Sequence, residues 1–364
     1  MSAMRVLIAA GGTGGHIYPG IAVADEIMRR DPSSRVRFVG TARGLEARLV
    51  PQAGFELSLI ESAGLKNVSA AARLRGLAVL PNSLLAARKV IREFQPDIVV
   101  GAGGYVSGPV LLMAVFMDLP TMVMDSNALP GWTNRRLAKW VDRAAVSFAE
   151  ALPYFRGKGV LTGNPVRSEF FEIPPKQREP GALSILIFGG SQGARAINEA
   201  MVAALPLLQP VRDNLRITHQ TGESDYEKTK GAYEAADWKG NVDVKKYIDD
   251  MVQSFAAADL IICRAGATTS AELVAAGKAA IMIPFPLAAD DHQRKNAEAL
   301  QAAGAARMLL QKDLSGEKLA GQIMELIANP AEISRMEDAS RSLARKDAGT
   351  ASVDLMEELV KARG

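Results

Sequence analysis

Four glycine-rich turns each follow a short apolar run: Gly11-Gly12-Thr13-Gly14-Gly15-His16, Gly101-Ala102-Gly103-Gly104-Tyr105, Gly189-Gly190-Ser191-Gln192-Gly193 and Arg264-Ala265-Gly266-Ala267-Thr268-Thr269. A strand that ends in glycines and opens a helix brings several backbone N–H groups together at the positive end of the helix dipole, an arrangement suited to phosphate. One such turn is weak evidence, because many α/β folds need glycine there for packing. Four in one chain point to phosphorylated ligands. The fourth turn is the most specific, since Glu272 follows it about one turn into a predicted helix. Bare amides there hold a diphosphate, and the carboxylate accepts both hydroxyls of a ribose. The plainer reading of Glu272 is an acid favoured by the dipole, by roughly a few tenths of a kcal/mol. The polar run Asp290-Asp291-His292-Gln293-Arg294-Lys295-Asn296 after Phe285-Pro286 favours the ligand reading, because it supplies groups that read sugar hydroxyls.

Which phosphates are bound narrows by exclusion. A nicotinamide site needs Gly-x-Gly-x-x-Gly and an acidic residue at the tip of the second strand. Here the spacing fails, and the second strand ends Val39-Gly40-Thr41 with no carboxylate. The triphosphate loop Gly-x4-Gly-Lys-Ser/Thr is also absent. Of the three histidines, His16 ends a glycine turn, and an imidazole titrating at about 6.5 suits proton transfer near neutral pH. His16 is therefore the candidate base, with Asp and Glu side chains as rivals; its plainer roles are to position a diphosphate or cap a helix. His292 either assists a leaving group or starts a helix, and His219, within a strand, reads as structural.

These turns must be positioned by alternating strands and helices. Strands are predicted at 6–9, 36–39, 57–60, 98–100, 121–124 and 144–147, then at 184–188, 216–219, 242–245, 260–263, 280–283 and 306–309, an α/β pattern of parallel sheets. The halves begin alike, RVLIAAGGTGGH at Arg5 and SILIFGGSQGAR at Ser184, which implies two Rossmann-like domains facing across a cleft. We expect the first domain at 1–164 and the second at 165–344. The Gly/Pro-rich linker is predicted at 161–181. Only helical patterns follow the last strand, at 316–328 and 332–361, and a terminal helix at about 345–364 is expected to pack back on the first domain.

The 364 residues are 48% apolar and 23% charged, as in a folded globular chain, and the single cysteine, Cys263, excludes a disulfide framework. The N-terminus lacks the pattern of a signal peptide. The apolar stretch 98–124 is broken by glycine and proline well short of about 20 uninterrupted residues, so it reads as strand, loop, buried helix and strand. Residues 1–164 hold 19 Lys+Arg against 12 Asp+Glu, the rest 24 against 28, so the first half should meet the anionic partner. Residues 62–92 carry Lys66, Arg73, Arg75, Arg88, Lys89 and Arg92 beside Leu74, Leu77, Leu80, Leu84 and Leu85, with no acidic residue. That composition fits an interfacial segment on an anionic membrane, with Arg73, Arg75, Leu77, Leu80 and Leu84 as its contacts. Aromatic residues make up 5%, and no basic stripe interleaved with them supports nucleic-acid binding.

Gly-Gly-Thr-Gly-Gly-His with Pro19-Gly20, Gly-Gly-Tyr-Val-Ser-Gly-Pro at Gly103 to Pro109, Gly163-Asn164-Pro165-Val166-Arg167, Gly-Gly-Ser-Gln-Gly-Ala at Gly189 to Ala194, and Asp291-His292-Gln293 before Asn296-Ala297 occur in order along nearly the whole chain. Together they resemble the MurG family of GT-B glycosyltransferases. The resemblance implies an inverting transfer of GlcNAc from UDP-GlcNAc to the C4 hydroxyl of the muramoyl sugar of lipid I, forming lipid II at the cytoplasmic face of the inner membrane. It implies donor contacts from Thr13, Gly14 and Gly15, from Arg167 and the Ile248 backbone at uracil, from Glu272 at ribose, from Ser191 and Ala267, Thr268 and Thr269 at diphosphate, and from Gln293 and Asn127 at GlcNAc. The loop from Gly101 to Gly108 is the expected cradle of the acceptor diphosphate, through Gly103, Gly104, Tyr105 and Ser107. Neither Asp249-Asp250 nor Asp290-Asp291 has Asp-x-Asp spacing, so helix amides are expected to meet the leaving charge without an obligatory metal; magnesium stimulation stays open because both substrates are diphosphates. The rivals are a UDP-GlcNAc 2-epimerase, a diacylglycerol glycosyltransferase, and a sugar-nucleotide-binding module without catalysis.

Overall fold

The apolar runs form two all-parallel sheets in the computed structural model, which describes residues 3–62, 70–178, 181–190, 193–288 and 291–363, with the backbone alone over 70–78. The first sheet contains β1 (Arg5–Ala10), β2 (Arg35–Gly40), β3 (Glu56–Leu59), β4 (Ile98–Gly103), β5 (Thr121–Asp125), β6 (Arg143–Val146) and β7 (Gly159–Leu161), in the order β3-β2-β1-β4-β5-β6-β7. The second contains β8 (Leu183–Phe188), β9 (Leu215–Gln220), β10 (Val242–Lys245), β11 (Leu260–Cys263), β12 (Ala279–Met282) and β13 (Ala306–Met308), in the order β10-β9-β8-β11-β12-β13. The inner strands are buried on both faces, which is why they read as continuous apolar runs rather than alternating ones. Val6, for example, sits opposite Val36 on one side and Ile98 on the other.

Internal packing divides the chain into two units, residues 1–167 with 345–364 and residues 168–344. All twelve predicted strands are present, and β7 is additional. It has three residues at the sheet edge, none of them buried, so its hydrophobic signal is weak. The predicted linker needs correction. Its first residue, Leu161, ends β7, and Phe170 packs edge-on against Phe255 with ring centroids 5.1 Å apart, so this stretch joins the second core. The 332–361 pattern is two helices, Pro330–Ser342 and Ala348–Arg363, broken where the chain passes from one unit to the other. The last helix buries Val353, Met356 and Leu359 in a core of the first unit. Arg30 holds it, reaching Asp354 at 2.7 Å, Glu357 at 3.0 Å and the Thr350 carbonyl at 2.9 Å. The Arg29 guanidinium, assisted by Arg30, holds the neighbouring Glu26 carboxyl down at about 2.

Gly20 shows how closely helix and sheet approach in this unit. A Cβ there would lie 3.2 Å from the Phe38 ring and 3.4 Å from Ile8, so the helix Gly14–Arg30 is drawn onto the sheet at that point. No helix of the described residues is long and apolar enough to cross a membrane.

His219 is fully buried in β9, where a charged ring is disfavoured. Its Nε2–H donates to Asn198 Oδ1 at 3.0 Å, and its Nδ1 accepts from the Tyr233 hydroxyl at 3.0 Å, a network that suits a neutral ring. Burial pushes its pKa down to about 3. The unfolded imidazole protonates first as pH falls from about 6.5, so stability is lost through that window by up to about 1.4 kcal/mol per pH unit until the folded ring also protonates. Urea unfolding of the wild type and of His219→Gln between pH 7 and 4.5 should show the wild type falling more steeply. Equal slopes would contradict a neutral buried imidazole.

Candidate active site

Each sheet reverses its strand order once, and ligands of open α/β sheets bind at the carboxyl ends of the strands at that point. In the first unit the reversal lies between β1 and β4, where two of the glycine turns meet. The Gly11 amide donates to the Gly103 carbonyl at 3.3 Å. Gly103 and Gly104 have φ values of +119° and +82°, and a side chain on either would overlap the His16 ring or the Gly11 backbone. The two turns can therefore touch only because both positions are glycine.

His16 lies against Gly103 in the first turn of the helix Gly14–Arg30. Its Nδ1 is 3.2 Å from the Gly11 carbonyl oxygen and 3.5 Å from Thr13 Oγ1. A carbonyl only accepts, so Nδ1 carries a proton, and in the neutral ring this leaves the lone pair on Nε2, as a base requires. Ser107 takes a different part from the one expected of it. It is fully buried, its hydroxyl accepting from the Gly103 amide at 3.0 Å and donating toward the Ala9 and Gly103 carbonyls at 2.8 Å. Ser107 thus shapes the turn instead of presenting a hydroxyl, whereas Tyr105 is 57% exposed.

Two carboxylates at this edge escaped the sequence reading. Glu46, at the start of the helix Glu46–Gln52, is fully buried; Oε2 accepts from the Gly12 amide at 2.9 Å, and Oε1 accepts from the Thr41 amide and hydroxyl at 2.8 Å. The second strand tip lacks an acid in sequence, and Glu46 supplies one in space, aimed at backbone rather than at a ribose. Its signal was the pair Gly40 and Gly44, where a Cβ would overlap its side chain. Asp125 ends β5 and accepts from the amides of Asn127 at 3.1 Å and Gly131 at 3.0 Å and from Asn134 Nδ2 at 2.9 Å, which fixes the loop carrying Asn127. Burial raises the pKa of Asp125, and these hydrogen bonds oppose the rise. Arg167 ends the first stretch of chain in this unit, its guanidinium 5.1 Å above the Tyr18 ring.

In the second unit the reversal lies between β8 and β11, again where two glycine turns emerge. Ser191 lies outside the described residues. Gly266 caps the helix Ala267–Ala276, whose opening residues Ala267, Thr268 and Thr269 are half-buried and whose Glu272 is 8% exposed. Gln220 joins the third glycine turn to one predicted contact, Ile248: its Nε2 donates to the Gly190 carbonyl at 2.8 Å, and its Oε1 accepts from the Ile248 amide at 2.9 Å. The Ile248 amide is thus occupied internally. Gln293 Oε1 accepts from the Phe285 amide at 2.9 Å, and Asn296 Nδ2 donates to the Ala265 carbonyl at 3.1 Å, so the polar run holds the neighbouring turns in place. Arg264 adds to this through the Ile283 carbonyl at 3.1 Å and Gln311 at 2.7 Å, its charged form disfavoured by burial.

The helix Ala70–Phe94 carries the basic stretch. Arg73, Arg75 and Leu77 lie outside the described side chains. Leu80 and Leu84 are half-buried rather than facing out, because Ala87, Val90, Ile91 and Phe94 turn that face to the core. The exposed group is Leu85 with Arg88, Lys89 and Arg92, which line one shallow hollow together with Glu93.

Comparison with known proteins accords with this architecture. Residues 6–146 match the glycosyltransferase family 28 N-terminal domain and residues 184–353 the family 28 C-terminal domain. The UDP-N-acetylglucosamine–N-acetylmuramyl-(pentapeptide) pyrophosphoryl-undecaprenol N-acetylglucosamine transferase of Geotalea uraniireducens is 47% identical over 358 residues, 97% of this chain and 98% of that one. Its counterpart in Anaeromyxobacter is 46% identical over 363 residues, 99% of this chain and 94% of that one. Among solved structures, Acinetobacter baumannii MurG superposes with a TM-score of 0.76 at 31% identity, covering 98% of this chain and 99% of that one. A UDP-GlcNAc 2-epimerase from Neisseria meningitidis shares the fold with a TM-score of 0.70 at 14% identity, over 98% of this chain and 100% of that one. The chain is a GT-B glycosyltransferase of family 28 and belongs to its MurG branch.

Proposed function

We propose that the chain transfers GlcNAc from UDP-GlcNAc to the C4 hydroxyl of the MurNAc of lipid I, with inversion, to form the β-1,4 bond of lipid II. Near-full-length identity to relatives named for that reaction carries the reading, and the orientation of His16 supports it. Nε2 of His16 accepts the hydroxyl proton as the C4 oxygen attacks the anomeric carbon. The bond to the UDP oxygen breaks, and the electron pair leaves with UDP. First-turn amides of the helix Ala267–Ala276 meet that charge, with no metal required. Glu272 holds the ribose, and Arg167, Ser191, Ile248, Gln293 and Asn127 bind around the uracil, diphosphate and GlcNAc. The first unit receives the lipid diphosphate along the Gly103–Tyr105 turn and attaches peripherally to the inner leaflet. Leu85, Arg88, Lys89 and Arg92 make that attachment; the second unit receives the nucleotide.

Purified protein with labelled UDP-GlcNAc and a short-chain lipid I analogue should release UDP and form the disaccharide lipid, with product persisting in excess EDTA. Intact lipid I with no labelled product overturns the assignment; UDP-GlcNAc converted in the absence of acceptor points to an epimerase. His16→Ala should lower kcat by about 10²- to 10⁴-fold, with the KM for UDP-GlcNAc changed little. Glu272→Ala should mainly raise that KM by about ten- to a hundredfold, the range for losing a charge-assisted hydrogen bond. The reverse pattern sinks both roles. Replacing Arg88, Lys89 and Arg92 with Ala should weaken binding to anionic vesicles by about two orders of magnitude in a sedimentation assay, at about 1 kcal/mol per basic residue; unchanged binding excludes this face.

A further inference from the structure

The peptide group between Gly11 and Gly12 is gripped at both ends. Its N–H, on Gly12, donates to Glu46 Oε2 at 2.9 Å, and its C=O, on Gly11, accepts from His16 Nδ1 at 3.2 Å. Donor and acceptor belong to one planar, conjugated amide. Carboxylate, peptide and imidazole therefore form a single chain of hydrogen bonds in which each polarises the next. We propose that Glu46 is a positioning residue for His16 that acts through this peptide. The carboxylate draws the amide hydrogen, the Gly11 carbonyl becomes a stronger acceptor, and the Nδ1–H tautomer, with its lone pair on Nε2, is favoured. The arrangement does the work of a carboxylate bonded directly to a histidine, with an amide inserted between the two. It rests on His16 acting as the base of the proposed transfer.

The surroundings of Glu46 support a dedicated role. A fully buried carboxylate is costly unless its oxygens are hydrogen-bonded, and Glu46 has donors on both. Gly40 and Gly44 clear the space it fills. The donors are also unequal, two from Thr41 on Oε1 and one from Gly12 on Oε2. In Glu46→Gln the amide oxygen turns to the Thr41 pair and the NH2 faces the Gly12 N–H, donor against donor. The fold keeps its loop anchor while the link to His16 is cut.

The test combines kinetics with ¹⁵N-histidine NMR, in which two-bond correlations report which ring nitrogen is protonated and His16→Ala assigns the signals. Wild-type His16 should be protonated on Nδ1. Glu46→Gln should gain a share of the Nε2–H form and lose about ten- to a hundredfold in kcat, the range for removing the orienting partner of a metal-bound histidine, with the KM for UDP-GlcNAc within about twofold. If Glu46→Gln does not fold, Glu46→Asp, whose charge is withdrawn by one methylene, takes its place with the same direction of change. A wild-type ring protonated on Nε2, or a variant with unaltered tautomer and kcat, overturns the proposal. Because the NMR signature does not require turnover, a wild type without transferase activity sinks the proposed reaction and leaves this link separately decided.

Discussion

The close approach of two backbone turns where the first sheet reverses its strand order governs most of what surrounds it. Gly11 bonds to Gly103, Gly104 lies over the Gly11 backbone, and the His16 ring rests where a Cβ on Gly103 would be. Parallel strands deliver both turns to the same edge, and left-handed backbone lets them touch. Once they touch, the Gly11 carbonyl lies within reach of the histidine Nδ1, which orients the ring.

The second unit uses the same device with different side chains. Its turns also emerge at a reversal, between β8 and β11, but they are tied by long polar side chains, Gln220, Gln293, Asn296 and Arg264, bonding to backbone of adjacent turns. Direct backbone contact leaves the first pair of turns little freedom, because the glycines set how closely they approach. Side-chain ties hold the second pair, and there the Ile248 amide has Gln220 as its internal partner. Next to Gln220 in β9, His219 bonds to Tyr233 and Asn198, two uncharged partners.

Electrostatics at the two edges differ accordingly. Near the first turns a carboxylate is buried against amides, whereas at the second the amides open a helix whose next acid, Glu272, lies further in. A glycine turn is therefore not by itself a phosphate cradle. The Gly12 amide serves Glu46, so the number of glycines overstates the number of donors available to an anion.

The architecture was legible in the residues, because buried parallel strands are written as apolar runs and each glycine turn follows one directly. The twelve predicted strands and the returning terminal helix rest on such local patterns; β7 is too short and exposed to register. The placement of His16 and Glu272 beside their turns was legible for the same reason, since they are close to those turns in sequence. Glu46, Asp125 and Gln220 were not, because each acts on backbone brought near by folding and none has a sequence motif of its own. Leu80 and Leu84 show the same limit, since composition names an amphipathic helix while packing decides which leucine faces out. Residue type and spacing determined which chemistry is present, because those are properties of neighbours along the chain. Which hydroxyl is buried, which amide is occupied and which nitrogen of His16 holds the proton were decided by tertiary structure, because hydrogen-bond partners are set by distance in space.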